Sequence, residues 1–179
     1  MNIHSLIEVL LLSNSNPLTQ KILDDVLGEI NKKYNLPKIV KELNDIYVEQ
    51  EKGYHIALVS GGYKFFSNKD YYIYIDKLNF NNKKNTFSQP AIETLSIIAY
   101  KQPITRLEIE HLRGVDCTGV IKNLLEKGMV IVKGRQEGLG RALLYATSKK
   151  FLEKFGLNNL KDLPSIQDME DIIESEVKK

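Results

Sequence analysis

Gln102-Pro103-Ile104-Thr105-Arg106-Leu107-Glu108-Ile109-Glu110-His111-Leu112-Arg113-Gly114 decides the fold, because it stands over an earlier copy of itself. Eighty-six positions upstream the chain reads Asn16-Pro17-Leu18-Thr19, continues through Leu23 and Val26, and closes on Gly28. Pro103 has no amide to donate and biases Gln102 away from helical angles, so a helix stops there. Thr105 with Glu108 three residues on is a capping box, so a new helix starts there. Gly114 can adopt the left-handed cap that ends it. Helix, tight turn, helix is the reading of both copies. Further upstream, Leu6, Val9, Leu11 and Leu12 overlay Ile92, Leu95, Ile97 and Ile98 at the same spacing.

Working outward, Ser88 caps a helix through Tyr100, whose apolar positions Ile92, Leu95, Ile98 and Ala99 recur at spacings of three and four. A third helix runs from about Asp116 to Lys127, burying Val120, Ile121, Leu124 and Leu125. Its counterpart starts near Pro37, a favoured first helical position, and buries Ile39, Val40, Leu43, Ile46 and Tyr47. A hairpin pattern follows each third helix. Tyr54–Val59 and Tyr63–Phe66 flank Ser60-Gly61-Gly62, and Met129–Lys133 and Leu143–Thr147 flank the longer loop 134–140. Three helices and a hairpin make a winged helix, so the fold class is α+β, mainly α, with two tandem winged-helix domains. The expected layout is a first domain at 1–78, an Asn- and Lys-rich linker at 79–87, a second domain at 88–164 and an acidic tail at 165–179. In that tail Ile166, Met169, Ile172 and Ile173 suit either an amphipathic docking helix or a solvated end.

Composition sets the bounds on function. The 179 residues carry 25 Lys and Arg against 23 Asp and Glu, with 42% hydrophobic and 27% charged residues, values ordinary for a globular protein. A formal charge of +2 is too neutral to name nucleic acid or a membrane as partner. No apolar run is long enough for a membrane-spanning helix, and no basic segment precedes Leu6–Leu12 as in a signal peptide. A cytoplasmic protein is expected.

Charge is unevenly placed. All four arginines, Arg106, Arg113, Arg135 and Arg141, lie in the second half, and residues 113–154 hold nine basic and four acidic side chains. This basic patch centres on the second hairpin, where Lys133, Arg135 and Arg141 can make weak phosphate contacts. Thr118, Lys122, Asn123 and Glu126 on the would-be reading helix suit base readout poorly. The nucleotide-binding glycine fingerprints need a helix after the loop, but a strand follows 134–140, so this is a wing tip. Catalytic chemistry is thinly represented. His4, His55 and His111 are scattered, and the single cysteine, Cys117, sits beside Asp116 with no second ligand at metal spacing. No catalytic residue, metal or cofactor is expected.

The second-half stretch from Ser88 to Thr105, with Glu108-Ile109-Glu110 and Arg113-Gly114-Val115, resembles the bacterial segregation and condensation protein B family. So do Gly134-Arg135, Gly140-Arg141, Leu144-Tyr145-Ala146-Thr147, Phe151-Leu152, Phe155-Gly156-Leu157 and Leu160-Lys161-Asp162-Leu163-Pro164. Ile7-Glu8, Pro17-Leu18 and Gly61-Gly62-Tyr63 fit the same pattern, so the resemblance spans about residues 5–164. It implies two winged-helix domains in a homodimer that serves as a non-enzymatic, kite-type accessory subunit of the SMC–kleisin complex. That subunit binds the kleisin, segregation and condensation protein A, and meets the SMC ATPase through it at the nucleoid. Dimerisation is expected on the first domain through Tyr54, Tyr63, Phe65, Tyr71 and Tyr72. Kleisin binding is expected on the second through Arg135, Gly140, Arg141 and Tyr145, two side-chain types over-represented at interfaces among them. The competing reading is a dimeric winged-helix transcriptional regulator that binds DNA.

Overall fold

The computed structural model describes residues 2–28, 34–79, 87–138, 140–165 and 168, and the chain divides into two compact units, Met1–Phe87 and Ser88–Lys179. The tail positions Ile166, Met169, Ile172 and Ile173, most of the linker, and Leu139 of the wing loop lie outside the described residues.

In the first unit α1 (Ile3–Ser13), α2 (Gln20–Leu27) and α3 (Leu36–Glu49) precede the hairpin strands β1 (Tyr54–Val59) and β2 (Gly62–Ser67). Each helix starts on a side-chain cap: Asn2 accepts from the His4 amide, Thr19 from Ile22 and Asn35 from Lys38. Ile7, Leu11, Leu23, Leu36, Ile39, Leu43, Tyr47 and Ile56 form the core. The Asn44 amide clamps α3 to β1, donating to the Ile56 carbonyl and accepting from its amide, both at 2.8 Å. Ser60 and Gly61, with φ of 51° and 80°, make the tight turn that matches strand twist. Leu18 bridges Tyr63 on β2, and the hairpin packs so closely there that a Cβ on Gly62 would meet Pro17 at 2.9 Å. A short 3-10 turn (Lys69–Tyr71) then leads into α4 (Tyr72–Asn79).

The second unit holds α5 (Gln89–Lys101), β3 (Ile104–Thr105), α6 (Arg106–Arg113), α7 (Thr118–Glu126), β4 (Val130–Arg135), β5 (Leu143–Thr147) and α8 (Lys149–Lys154). Its antiparallel sheet runs β3-β5-β4. The expected capping box is present: Thr105 Oγ1 accepts from the Glu108 amide, and the Glu108 carboxylate accepts from the Thr105 amide at 2.8 Å. Gly114 caps α6 at φ 71°. Gln102 staples the turn to the sheet, donating to the Ala99 carbonyl and accepting from the Thr147 amide at 2.9 Å. Arg113 ties three helices together: its guanidinium reaches Glu93 at 2.8 Å, Thr94 Oγ1 at 3.1 Å and the buried Cys117 Sγ at 3.5 Å.

The winged-helix reading holds, with corrections in detail. The 86-residue spacing is kept from Leu18 to Gly28: Leu23 and Ile109 are both core, and Thr19 and Thr105 are both caps. It fails before the turn, because Asn14–Pro17 separates α1 from the Leu18 bridge whereas only Gln102 and Pro103 separate α5 from β3. Buried Ile7 and Leu11 therefore answer to Leu95 and Ala99, while Val9 and Leu12 are exposed. Ile92 and Ile46, expected in the core, are exposed, and Val120 and Leu125 are half-buried. Ser88 stands at the α5 N-cap without a side-chain bond.

Candidate functional site

Three surface features carry chemistry, and the first is the wing of the second unit. A register shift between Val132 and Gly134 leaves Lys133 opposite no partner, the bulge that kinks a strand and re-aims its side chains. The Arg135 guanidinium donates to the Arg141 carbonyl at 3.2 Å, and the Gln136 amide donates to the Ala142 carbonyl at 2.8 Å, closing the loop. Gly140 has φ 88°, which glycine takes freely; Arg141 has φ 39°, which an L side chain adopts only at some cost. The structure thus brings Lys133, Arg135, Gly140 and Arg141 together on an exposed tip next to exposed Ile131 and Val132. Tyr145 does not join them. It sits on the central strand, paired to Ile104 and Val132, and is 8% exposed, so it is a core residue rather than a surface contact.

A second feature was not anticipated from sequence. Pro103, Ile104, Leu107, Lys101, His111 and Leu112 line a groove of about 490 Å³ along α6. Leu107 and Leu112 are 67% and 55% exposed on its rim. Glu108 also borders it, but its carboxylate is engaged by the Thr105 hydroxyl and amide, and these bonds hold its pKa below the usual range. The available signal was Leu107 alone, which falls off the stripe marked by buried Ile109; Leu112, three residues on from Ile109, lies near that stripe and is exposed nonetheless.

The third feature is in the first unit. Tyr54 is partly exposed and stacks edge-on against Tyr47 and Phe65, while Phe65 and Tyr63 are half-buried against the core. Burial and the Glu8 carboxylate, which accepts from Tyr47 Oη at 2.6 Å, push the Tyr47 hydroxyl above its usual pKa. These three rings therefore serve their own unit first. Tyr71 and Tyr72 are exposed, and α4 beyond them buries none of its described side chains. Tyr74 is 64% and Leu78 83% exposed, with Ile73 between those values.

On the helices that would read DNA, exposed cations lie beside carboxylates of the same helix. On α7 the Thr118 hydroxyl donates to Asp116 and accepts from Arg106 at 2.6 Å, and Lys122 pairs with Glu126 at 3.9 Å. On α3 Glu42 bonds His4 at 2.6 Å and approaches Lys38 at 3.8 Å. Among the described residues no three His, Cys, Asp or Glu side chains are grouped to hold a metal ion, and no helix is long and apolar enough to cross a membrane.

Comparison with known proteins bears on what such surfaces serve. The family model described as "Segregation and condensation complex subunit ScpB" matches residues 5–166. The chain belongs to the ScpB family. It is 38% identical over 168 residues to segregation and condensation protein B of Moorella thermoacetica, covering 94% of this chain and 85% of that one. It is 35% identical over 175 residues to the protein of that name from Clostridioides difficile, covering 98% of each. A solved structure of ScpB from Mycobacterium tuberculosis matches 86% of this chain and 94% of its own at 26% identity and a TM-score of 0.40. Membership in the ScpB family gives the chain a role in chromosome segregation and condensation, as a subunit of a complex and with no catalytic activity named.

Proposed function

We propose that this ScpB-family chain acts as a homodimeric scaffold that binds the kleisin subunit, segregation and condensation protein A, and through it engages the SMC ATPase. The observation that carries the reading is α4, a whole helix of the first unit whose large apolar side chains stay in contact with water. An apolar surface of this kind marks an interaction site. Burying a large apolar side chain is worth about 1.5–3 kcal/mol. Four such residues on each of two copies, already partly shielded, supply on the order of 10 kcal/mol, comparable to the roughly 4–15 kcal/mol that association costs. Dimerisation is therefore assigned to α4, which begins at Tyr72, together with Tyr71 just before it and Tyr54 on β1, and the half-buried Tyr63 and Phe65 support the hairpin from the core side.

The kleisin is assigned to the second unit's wing, with Arg135, Gly140 and Arg141 as contacts. Arg141 holds a left-handed backbone angle on an exposed tip, and strain of that sort is retained where it positions a functional group. The same cations favour weak, sequence-independent contact with DNA phosphates as a secondary property. A sequence-reading regulator is disfavoured by the self-paired faces of α3 and α7.

Light scattering during size-exclusion chromatography tests the reading. The expected result is a dimer of twice the 20.5 kDa chain mass that shifts to a heavier stable species with the kleisin. A monomer, or a dimer indifferent to micromolar kleisin, would sink it.

A further inference from the structure

We infer that the kleisin segment received at the wing is extended and acidic, and that it adds as a fourth strand along the outer edge of β4. The inference rests on the assignment of the kleisin to this wing and names the chemistry that holds it there. The sheet runs β3-β5-β4, so among the described residues β4 pairs with a strand on one side only. Its register tells which backbone groups face outward. The Ser148 amide donates to the Met129 carbonyl at 3.0 Å, which makes these two a hydrogen-bonded pair. Ile131 and Ala146 form the next such pair, so the residues between and beyond, Val130 and Val132, turn their amides and carbonyls away from β5. Thr147, opposite Val130, accordingly gives its amide to Gln102 and not to β4. Ile131 and Val132, on opposite faces of the strand, are 47% and 45% exposed, apolar surface that one more strand would cover.

Charge selects the occupant. Strand β4 carries Lys133 and Arg135 and no acid, and residues 127–154 around it hold seven Lys and Arg against two Glu. Pairing β4 with a second copy of itself would bring Lys133 and Arg135 of both chains onto one ladder, where like charges repel. A bulge and cations on an edge strand are devices that prevent such self-pairing, and β4 has both at Lys133. They leave the edge open to a strand of opposite charge. The main chain of that strand would bond the Val132 amide and carbonyl, its apolar side chains would lie beside Ile131 and Val132, and its carboxylates would meet Lys133, Arg135 and Arg141. DNA would use the cations and leave the two apolar side chains uncovered.

Amide hydrogen exchange of the full chain, with and without the kleisin, tests it. In the complex the Val132 amide should exchange at least about tenfold slower, and the Ile131 amide, already directed at β5, should change by less. Val132→Pro removes the outward amide at an edge position, where a strand tolerates proline, and should lower kleisin affinity at least about tenfold with the dimer mass unaltered. If that variant unfolds the second unit, the exchange of the unmodified chain decides. The affinity should also fall at least about tenfold between about 50 and about 300 mM salt, and an affinity indifferent to salt would refute an acidic segment. A kleisin that binds, and loses affinity with Arg141→Glu, yet leaves Val132 exchange unchanged would overturn strand addition and leave the wing assignment standing. Equal slowing of Val132 by a DNA duplex alone would also overturn it, because the slowing would then report phosphate contact. A kleisin that forms no complex in a calorimetric titration removes both readings, so the two failures are told apart.

Discussion

The two units share a topology and diverge in what they do with its end. In the second unit the hairpin is followed by α8, whose Phe151 is buried and stacks on Phe155 at 4.8 Å, so the chain returns to its own core. In the first unit the hairpin is followed by α4, none of whose described side chains is buried, Ile75 alone being half-buried. The wings differ in the opposite sense. The first closes in the two-residue turn Ser60-Gly61, while the second extends a long, cationic tip kinked at Lys133. One winged helix has spent its variation on an apolar appendage, the other on a charged loop. The same scaffold thus presents two surfaces of different chemistry, suited to two kinds of partner.

The largest effect should come from breaking the apolar surface. Tyr74→Glu with Leu78→Glu places two charges in the proposed dimer contact, and the dimer dissociation constant should rise at least about 100-fold. Sedimentation equilibrium would read it, and the folded content by circular dichroism should be unchanged because neither side chain is buried. An unaltered dimer would remove self-association from α4 and leave the contrast between the units unexplained.

A difference inside the cores ranks next. By the 86-residue spacing, buried Leu27 stands where the second unit has Arg113. Arg113 is 9% exposed at its side chain and joins α5, α6 and α7, although its partner Glu93 is half-exposed, which weakens the ion pair. Arg113→Ala should cost about 2–3 kcal/mol, below the 3–5 kcal/mol typical of breaking a fully buried pair. Urea unfolding followed by probes in each unit should show the loss in the second only. A cost under about 0.5 kcal/mol would mean that Arg113 is a surface cation after all.

At the wing, Arg141→Glu should weaken kleisin binding about tenfold, roughly 1.4 kcal/mol, and leave the dimer mass alone. Calorimetric titration with the kleisin measures it. An unchanged affinity would move the kleisin off the wing.

How much of this was legible follows from which residues act locally. Thr105 with Glu108, Gly114 and the Ser60-Gly61 turn act through their own backbone, so their roles could be read directly from sequence. The register of α1 could not be, because Leu10-Leu11-Leu12 offers an apolar match at any shift, and only the length of the following turn settles it. Helix α4 escaped for a different reason. Tyr72-Ile73-Tyr74-Ile75 lacks the three-and-four spacing of a helix that buries one face, and among the described side chains of α4 only Ile75 is half-buried. Tyr145 was misjudged because strand alternation cannot tell the central strand of a three-stranded sheet from an edge. The α6 groove is tertiary in origin, made by the packing of the turn against a helix.

The finest comparison is between the two helix caps. Thr19 offers a single bond to the Ile22 amide at 3.3 Å, whereas Thr105 is returned by Glu108, which accepts from both its amide and its hydroxyl. Removing the hydroxyl should cost about 1 kcal/mol at Thr105 and about half that at Thr19. The larger effect also carries a pH signature. Thr105 lowers the Glu108 pKa in the folded state, so the unfolded chain binds the proton more readily. The stabilisation is therefore present above the ordinary glutamate value of about 4.3 and fades as pH falls through the lower folded value. Thr105→Ala should flatten that acid limb of the second unit's unfolding curve, and Thr19→Ala should leave the first unit's curve parallel to the unmodified one. Urea titrations between about pH 3 and pH 7 would separate the two, and identical acid limbs would show that the Glu108 carboxylate does nothing for the cap beyond what the threonine alone provides.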